Sequence, residues 1–111
     1  MKDEGKLNAF TAAMYFYFLG DGLFSRKNYL DAIDYLIYAR NIWSQVSDEN
    51  IKEFSDNENY LGVCYQRIGE FQNALIFKER AKNLRVEYYG NQGLEVSQSW
   101  SNLGVTYHSL D

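Results

Sequence analysis

The chain of 111 residues contains no proline, one cysteine and one histidine. Without proline, nothing removes an amide donor inside a helix, so long uninterrupted helices are allowed throughout. Without a second cysteine there is neither an intramolecular disulfide nor a thiolate metal cluster, and this usage points to a reducing compartment. Long apolar runs are also missing. The stretch from Ala12 to Leu19 is too short to span a bilayer, and it lacks the small-residue cleavage site of a signal peptide, so a cytoplasmic location is expected. Positive charge is in deficit, with 11 Lys and Arg against 15 Asp and Glu and a net charge of −4. Counterion release would then oppose binding to a nucleic-acid backbone or an anionic membrane, and neither is expected as a partner. A P-loop, a dinucleotide fingerprint and metal-ligand spacings are absent too, so no cofactor and no metal are expected.

Aromatic residues are what the chain has in excess: 17% of it, including ten Tyr and seven Phe. A single domain of this size buries only roughly 60 to 70% of its unfolded surface, so large flat side chains must supply a thin core. The second feature is a repeat. Leu61-Gly62-Val63-Cys64-Tyr65 returns 42 residues later as Leu103-Gly104-Val105-Thr106-Tyr107, and Leu19-Gly20 stands 42 residues earlier. At the same offset Tyr29 maps onto Phe71, Ala32 onto Ala74, Ile33 onto Leu75, Tyr35 onto Phe77, Ala39 onto Ala81 and Ile42 onto Leu84. A fixed period of this length marks a solenoid, whose units bury their apolar faces against their neighbours.

Apolar spacing and breakers predict five helices: about Asn8 to Arg26, Tyr29 to Val46, Ile51 to Ile68, Glu70 to Tyr89, and Glu95 toward Leu110. Ser47 or Asp48 is expected to cap the third, and Gly69 suits a left-handed position after it. Gly20, Gly62 and Gly104 fall mid-helix, where glycine costs about 0.8 to 1 kcal/mol relative to alanine. Close approach of a second helix explains them, with Ala32 and Ala74 as the facing small surface. The expected architecture is an all-α, right-handed α-solenoid of antiparallel helix pairs. It forms one domain over residues 1–111, with units at about 8–46, 48–89 and an incomplete 91–111. By register Asp111 corresponds to Gly69, so the third unit is expected to hold only its first helix, with Leu103, Tyr107 and Trp100 half covered. Three outcomes stay open: a longer array, completion by another chain (including a homo-oligomer), or the last helix serving as its own cap.

The residues Leu61-Gly62, Tyr65, Gly69, Phe71, Ala74 and Ala81 together resemble the tetratricopeptide repeat. The stretch Ala81 to Tyr107, with Leu84-Arg85, Tyr89-Gly90 and Trp100-Ser101-Asn102-Leu103-Gly104, is similar to the longer repeats of kinesin light chains. The resemblance covers about residues 13–111. Asn28 stands where the second unit has Gly69, Lys78 replaces the apolar Leu36, Arg85 replaces Trp43, and Gly93-Leu94 stands where those repeats carry histidine-proline. Tyr15-Phe16-Tyr17-Phe18, Asn28-Tyr29-Leu30, Ala32-Ile33 and Val46-Ser47-Asp48-Glu49 also resemble peptide pheromone receptors of the tetratricopeptide type. A peptide-sensing regulator of that kind is the alternative reading, although it needs an effector or DNA-binding segment for which this chain supplies no basic helix; a structural role by self-association at the unfinished last helix is the third.

What the resemblance implies is binding of a peptide or protein partner, without catalysis, on a concave surface lined by the first helix of each pair. The implied residues are Tyr17, Asp21 and Phe24 on helix one, Asn59, Val63, Gln66 and Arg67 on helix three, and Ser101, Asn102, Val105 and His108 on helix five. Asn59 and Asn102 are the sharpest, because a side-chain amide offers both a donor and an acceptor to an extended backbone. The clamp of bases that holds a C-terminal carboxylate in chaperone-binding relatives is absent, Arg67 being the one base among these positions. Tyr17, Phe24, Val63 and Val105 suit an apolar or aromatic anchor instead. The rings of Tyr15 to Phe18 cover all faces of one helix, so at least one lies outside the unit's own core. Cys64 and His108 are not expected to form a dyad, and Asp31 with Asp34 and Asp56 with Glu58 are expected on solvated faces and caps.

Overall fold

The computed structural model describes residues 2–46, 50–90 and 103–104. These residues are all-α, with no strand among them: α1 (Lys2–Ser25), α2 (Tyr29–Gln45), α3 (Ile51–Arg67) and α4 (Phe71–Tyr89). Leu103 and Gly104 are helical as well, and the rest of the expected fifth helix lies outside the described residues. None of the helices among the described residues is long and apolar enough to cross a membrane. α1 begins earlier than apolar spacing suggests, at Lys2, because the polar stretch ahead of Asn8 holds no proline and no β-branched residue to stop it.

Each helix packs chiefly on its neighbours in the chain, α1 on α2, α2 on α3 and α3 on α4. Contacts run in opposite directions along each hairpin. Phe10 meets Trp43 edge-on at 5.5 Å while Gly20 faces Ala32 and Leu36, and Asp56 meets Arg85 while Gly62 faces Ala74 and Lys78. Both hairpins close around a glycine. A Cβ on Gly20 would stand 2.8 Å from Leu36 Cγ and 3.3 Å from the Ala32 carbonyl oxygen. One on Gly62 would stand 2.5 Å from Lys78 Cγ and 3.1 Å from the Ala74 carbonyl oxygen. The partners differ by the same 42 positions as the glycines, so the sequence period is also a period of contacts. Lys78 thus stands in for Leu36 by laying its methylene stem over the glycine, while its buried ammonium donates to the Gln66 side-chain oxygen.

Gly104 departs from this pattern: nothing among the described residues lies within 4 Å of the place its Cβ would occupy. Leu103 departs as well, being only 2% exposed rather than half covered.

The turns are equivalent too. After α3 the Glu70 amide donates to the Tyr65 carbonyl at 2.9 Å and the Gly69 amide to that of Gln66 at 3.1 Å, a Schellman closure with Gly69 at φ 82°. After α1 the Asn28 amide donates to Leu23 at 2.9 Å and the Lys27 amide to Phe24 at 2.9 Å, with Lys27 at φ 62°. The structural counterpart of Gly69 is therefore Lys27 and not Asn28, whose amide side chain instead donates to Asp31 at 2.8 Å. The α3 cap also differs from expectation. Asn50 takes that position, ahead of which Ser47 and Asp48 lie outside the described residues, and its side chain donates back to the Val46 carbonyl at 3.1 Å.

Two clusters make the core. Ala13, Ala39 and Trp43 hold one end of the first hairpin, with Phe10, Met14 and Phe54 against them. Ala32, Ile33, Leu36, Leu61 and Cys64 form the other across α2 and α3, joined by Tyr60, Tyr65, Ile68 and Phe77.

Candidate binding groove

The first helices of the two hairpins, α1 and α3, lie side by side and run in the same direction. Tyr60 fixes the pairing: its ring meets Tyr17 edge-on at 5.7 Å and Phe24 at 5.0 Å, and its hydroxyl donates to Asp21 Oδ1 at 2.5 Å. Farther along, the Arg67 guanidinium sits 5.8 Å from the Phe24 ring centre. The valley between them holds a cavity of about 300 Å³ lined by Tyr17, Phe24, Asp56, Asn59, Tyr60, Val63 and Arg85. A second cavity, of about 180 Å³, is lined by Met14, Tyr17, Trp43, Lys52, Glu53 and Asp56. Tyr17 and Asp56 belong to both, so the two adjoin along one groove.

Of the residues named from the sequence, Tyr17, Phe24, Asn59 and Val63 line the larger cavity directly. Asp21 and Arg67 stand at its rim through Tyr60 and Phe24. Gln66 is not among its lining residues: it is half-buried and receives Lys78 from α4. Ser101, Asn102, Val105 and His108 lie outside the described residues.

Asp56, Tyr60 and Arg85 are groove residues that periodicity alone did not single out. A signal existed, since Asp56 and Arg85 occupy the register of Met14 and Trp43, and a matched replacement at two facing positions implies contact. The Arg85 guanidinium, almost fully buried, donates to Asp56 Oδ1 at 3.1 Å, and Lys52 approaches the other carboxylate oxygen at 3.6 Å.

Electrostatics keep the groove phenols neutral. Burial pushes the Tyr17 hydroxyl up to about 12, helped by the Asp56 and Asp21 carboxylates and opposed by Arg85. Burial and the bond to Asp21 raise Tyr60 further. Both side chains therefore stay O–H groups well into the alkaline range, the Tyr60 hydroxyl being committed to Asp21. Trp43 adds a buried indole Nε1–H that has no acceptor among the described residues, although its side chain lines the smaller cavity. Leaving such a donor unmade costs about 1 to 3 kcal/mol.

The acidic pairs resolve unequally. Asp31 and Asp34 are exposed, as expected, whereas Glu58 is fully buried rather than solvated. Its carboxylate lies 2.8 Å from Arg40 Nε, without an aligned N–H···O bond, and burial raises its pKa against the opposing pull of Arg40. Glu58 lies away from the groove, on a cavity of about 260 Å³ between α2 and α4 that Arg40 and Arg80 also line. Cys64 is buried, and desolvation pushes its thiol up to about 12, so it is protonated at neutral pH. His108, its conceivable partner, lies outside the described residues. No group of His, Cys, Asp or Glu able to hold a metal occurs among the described residues.

No family model matches this sequence, and no match is found among curated proteins.

Proposed function

We propose that this chain is a tetratricopeptide-type helical solenoid that binds an extended peptide segment of a protein partner along the α1–α3 groove, without catalysis. The observation that carries the reading is the pair of adjoining cavities walled by Tyr17, Phe24, Tyr60 and Trp43, with the Asn59 amide beside them. The smaller cavity has room for one aliphatic or aromatic side chain. A carbonyl entering with it would satisfy the Trp43 indole N–H, an acceptor that the described residues do not provide. Asn59 lines the larger cavity, and an amide there is the type of group that pairs with a peptide backbone independent of sequence. Recognition would rest on apolar anchoring with amide pairing at its edge, and the internally paired Asp56 and Arg85 would add little net charge.

The test is selection of peptides from a random display library on the immobilised chain, followed by affinity measurements on native, Asn59→Ala and Val63→Glu proteins of equal helicity. Selected peptides should carry an apolar anchor, weaken by roughly five- to tenfold on Asn59→Ala, and be lost on Val63→Glu. Peptides that bind all three proteins alike would remove the groove from the account.

A further inference from the structure

The α1 face turned away from the groove is open, and the repeat shows what covers its counterpart. A cavity of about 260 Å³ on that side is lined by Phe18, Leu19, Gly22, Leu23, Arg26 and Tyr35. Advanced by 42 positions these become Tyr60, Leu61, Cys64, Tyr65, Ile68 and Phe77. Every one of those belongs to the core cluster between the hairpins, where Ile33 and Ile37 of α2 also pack. The Arg40 guanidinium of α2 completes that contact, 5.5 Å from the centre of the Phe77 ring. On the first hairpin the same surface meets solvent, with Tyr15 61%, Phe18 60% and Tyr38 55% exposed. Phe16, Tyr35 and Tyr38 form a ring cluster there, at 6.3, 5.5 and 6.3 Å between centres. Phe16 and Tyr38 hold the positions of Glu58 and Arg80, so the charges of the second hairpin are replaced by aromatic faces.

We propose that this outer face of the first hairpin is the seat of an amphipathic helix from a protein partner, presenting two aliphatic side chains and an arginine in the spacing of Ile33, Ile37 and Arg40. The aliphatic pair fills the cavity as α2 fills its counterpart on α3. The arginine lies over Tyr35, as Arg40 lies over Phe77, and the added rings of Phe16 and Tyr38 make the site richer in π-faces than its template. Charge agrees with a cation. Asp31 and Asp34 are exposed one turn before Tyr35 and Tyr38 on α2, against Arg26 at the other end of the cavity. This seat is independent of the α1–α3 groove and of what binds there.

Gly22 supplies a clean probe. It holds the place of the buried Cys64, yet a Cβ on it would meet nothing among the described residues within 4 Å, so a side chain can be added without disturbing the hairpin. Gly5, equally open, is the control on the same helix. The experiment titrates a labelled peptide of residues 29–46, the template helix itself, with the full-length chain, and follows fluorescence anisotropy. Saturable binding is expected to native and Gly5→Glu proteins, with a loss of at least about tenfold on Gly22→Glu, whose side chain would take up the cavity that the aliphatic pair must enter. A peptide carrying Arg40→Gln should bind roughly 5- to 30-fold more weakly. Absence of binding at millimolar peptide, indifference to Gly22→Glu, or equal affinity of the two peptides would each overturn the proposal. Sedimentation equilibrium provides the last arm. A native dimer that Gly22→Glu dissociates would give the seat to a second copy and overturn a separate partner.

Discussion

The two hairpins carry the same contact plan with different chemistry. In the first, Met14 lies beside the cavity floored by Trp43, and Leu36 covers Gly20; in the second the corresponding positions hold Asp56 with Arg85, and Lys78 over Gly62. Phe16 among Tyr35 and Tyr38 becomes Glu58 beside a Phe77 flanked by two guanidiniums, Arg40 at 5.5 Å and Arg80 at 5.4 Å. Backbone spacing tolerates this exchange because it depends on the glycine and on the alanines opposite, which both hairpins keep. The side chains around them need only fill space, as a lysine stem does, or be paired when charged. Apolar burial thus dominates one hairpin, whereas the other combines buried Leu61, Cys64, Ala74 and Ala81 with charged side chains that must be paired where they enter the core.

The largest effect that would break the symmetry comes from truncating the matched pair Trp43 and Arg85. Trp43→Ala should cost about 3 to 5 kcal/mol in urea unfolding, since it empties a fully buried site. Arg85→Ala should cost only about 1 to 2 kcal/mol, because Asp56 remains 37% exposed and water can solvate it. Equal losses at the two positions would mean that the hairpins are stabilised alike.

A smaller effect separates the three repeat glycines. Gly62→Ala and Gly20→Ala force a methyl group against the opposite helix, at about 1 to 3 kcal/mol of overpacking less about 1 kcal/mol of regained helix propensity. Gly62 should suffer more, its neighbour being 2.5 Å away against 2.8 Å. Gly104→Ala, with nothing among the described residues within 4 Å of the added Cβ, should stabilise by up to about 1 kcal/mol. Thermal unfolding of the three variants checks this order, and a destabilised Gly104→Ala would contradict it.

The turns should differ by less. Lys27 bears a left-handed φ that Gly69 adopts freely, so Lys27→Gly should raise stability by about 0.5 to 1 kcal/mol after the added freedom of the unfolded chain is deducted. Gly69→Lys should lower it by a similar amount.

The smallest effect is a pH slope confined to the second hairpin. Burial raises the Glu58 pKa above its ordinary 4.5, so the folded chain holds this proton more tightly than the unfolded chain does. Its contribution to stability is greatest below 4.5 and falls as pH rises through the raised folded value. Glu58→Gln should flatten urea-derived stability between pH 4 and 7; an unchanged slope would assign it to other carboxylates. Phe16, its counterpart, contributes nothing to this slope.

Much of the plan was legible in the chain. The 42-residue offset placed Gly20, Gly62 and the alanines facing them, and breakers placed the ends of α2, α3 and α4 but not the start of α1, since close approach and turn geometry restrict residue type at single positions. Tyr17, Phe24, Asn59 and Val63 share one cavity because the first-helix register that selected them also sets the α1–α3 valley. Glu58 was misread as solvated, since its position on α3 faces α2 across the hairpin boundary, and local spacing does not record a neighbour that arrives from another unit. Gln66 does not line that cavity, and the contact it makes instead was illegible for a related reason: a lysine folded over Gly62 brings an ammonium to it.

The sequence by itself determined helicity, the period, the glycine contacts and the left-handed turn at Gly69. Each follows from backbone sterics acting within a few residues or from a repeated residue type. Only tertiary structure decided which charges meet, half-buried Arg40 with buried Glu58 and partly exposed Asp56 with buried Arg85, and which aromatic rings stay in water. Those outcomes depend on what lies across a helix–helix interface, where desolvation and pairing are settled by groups distant in the chain.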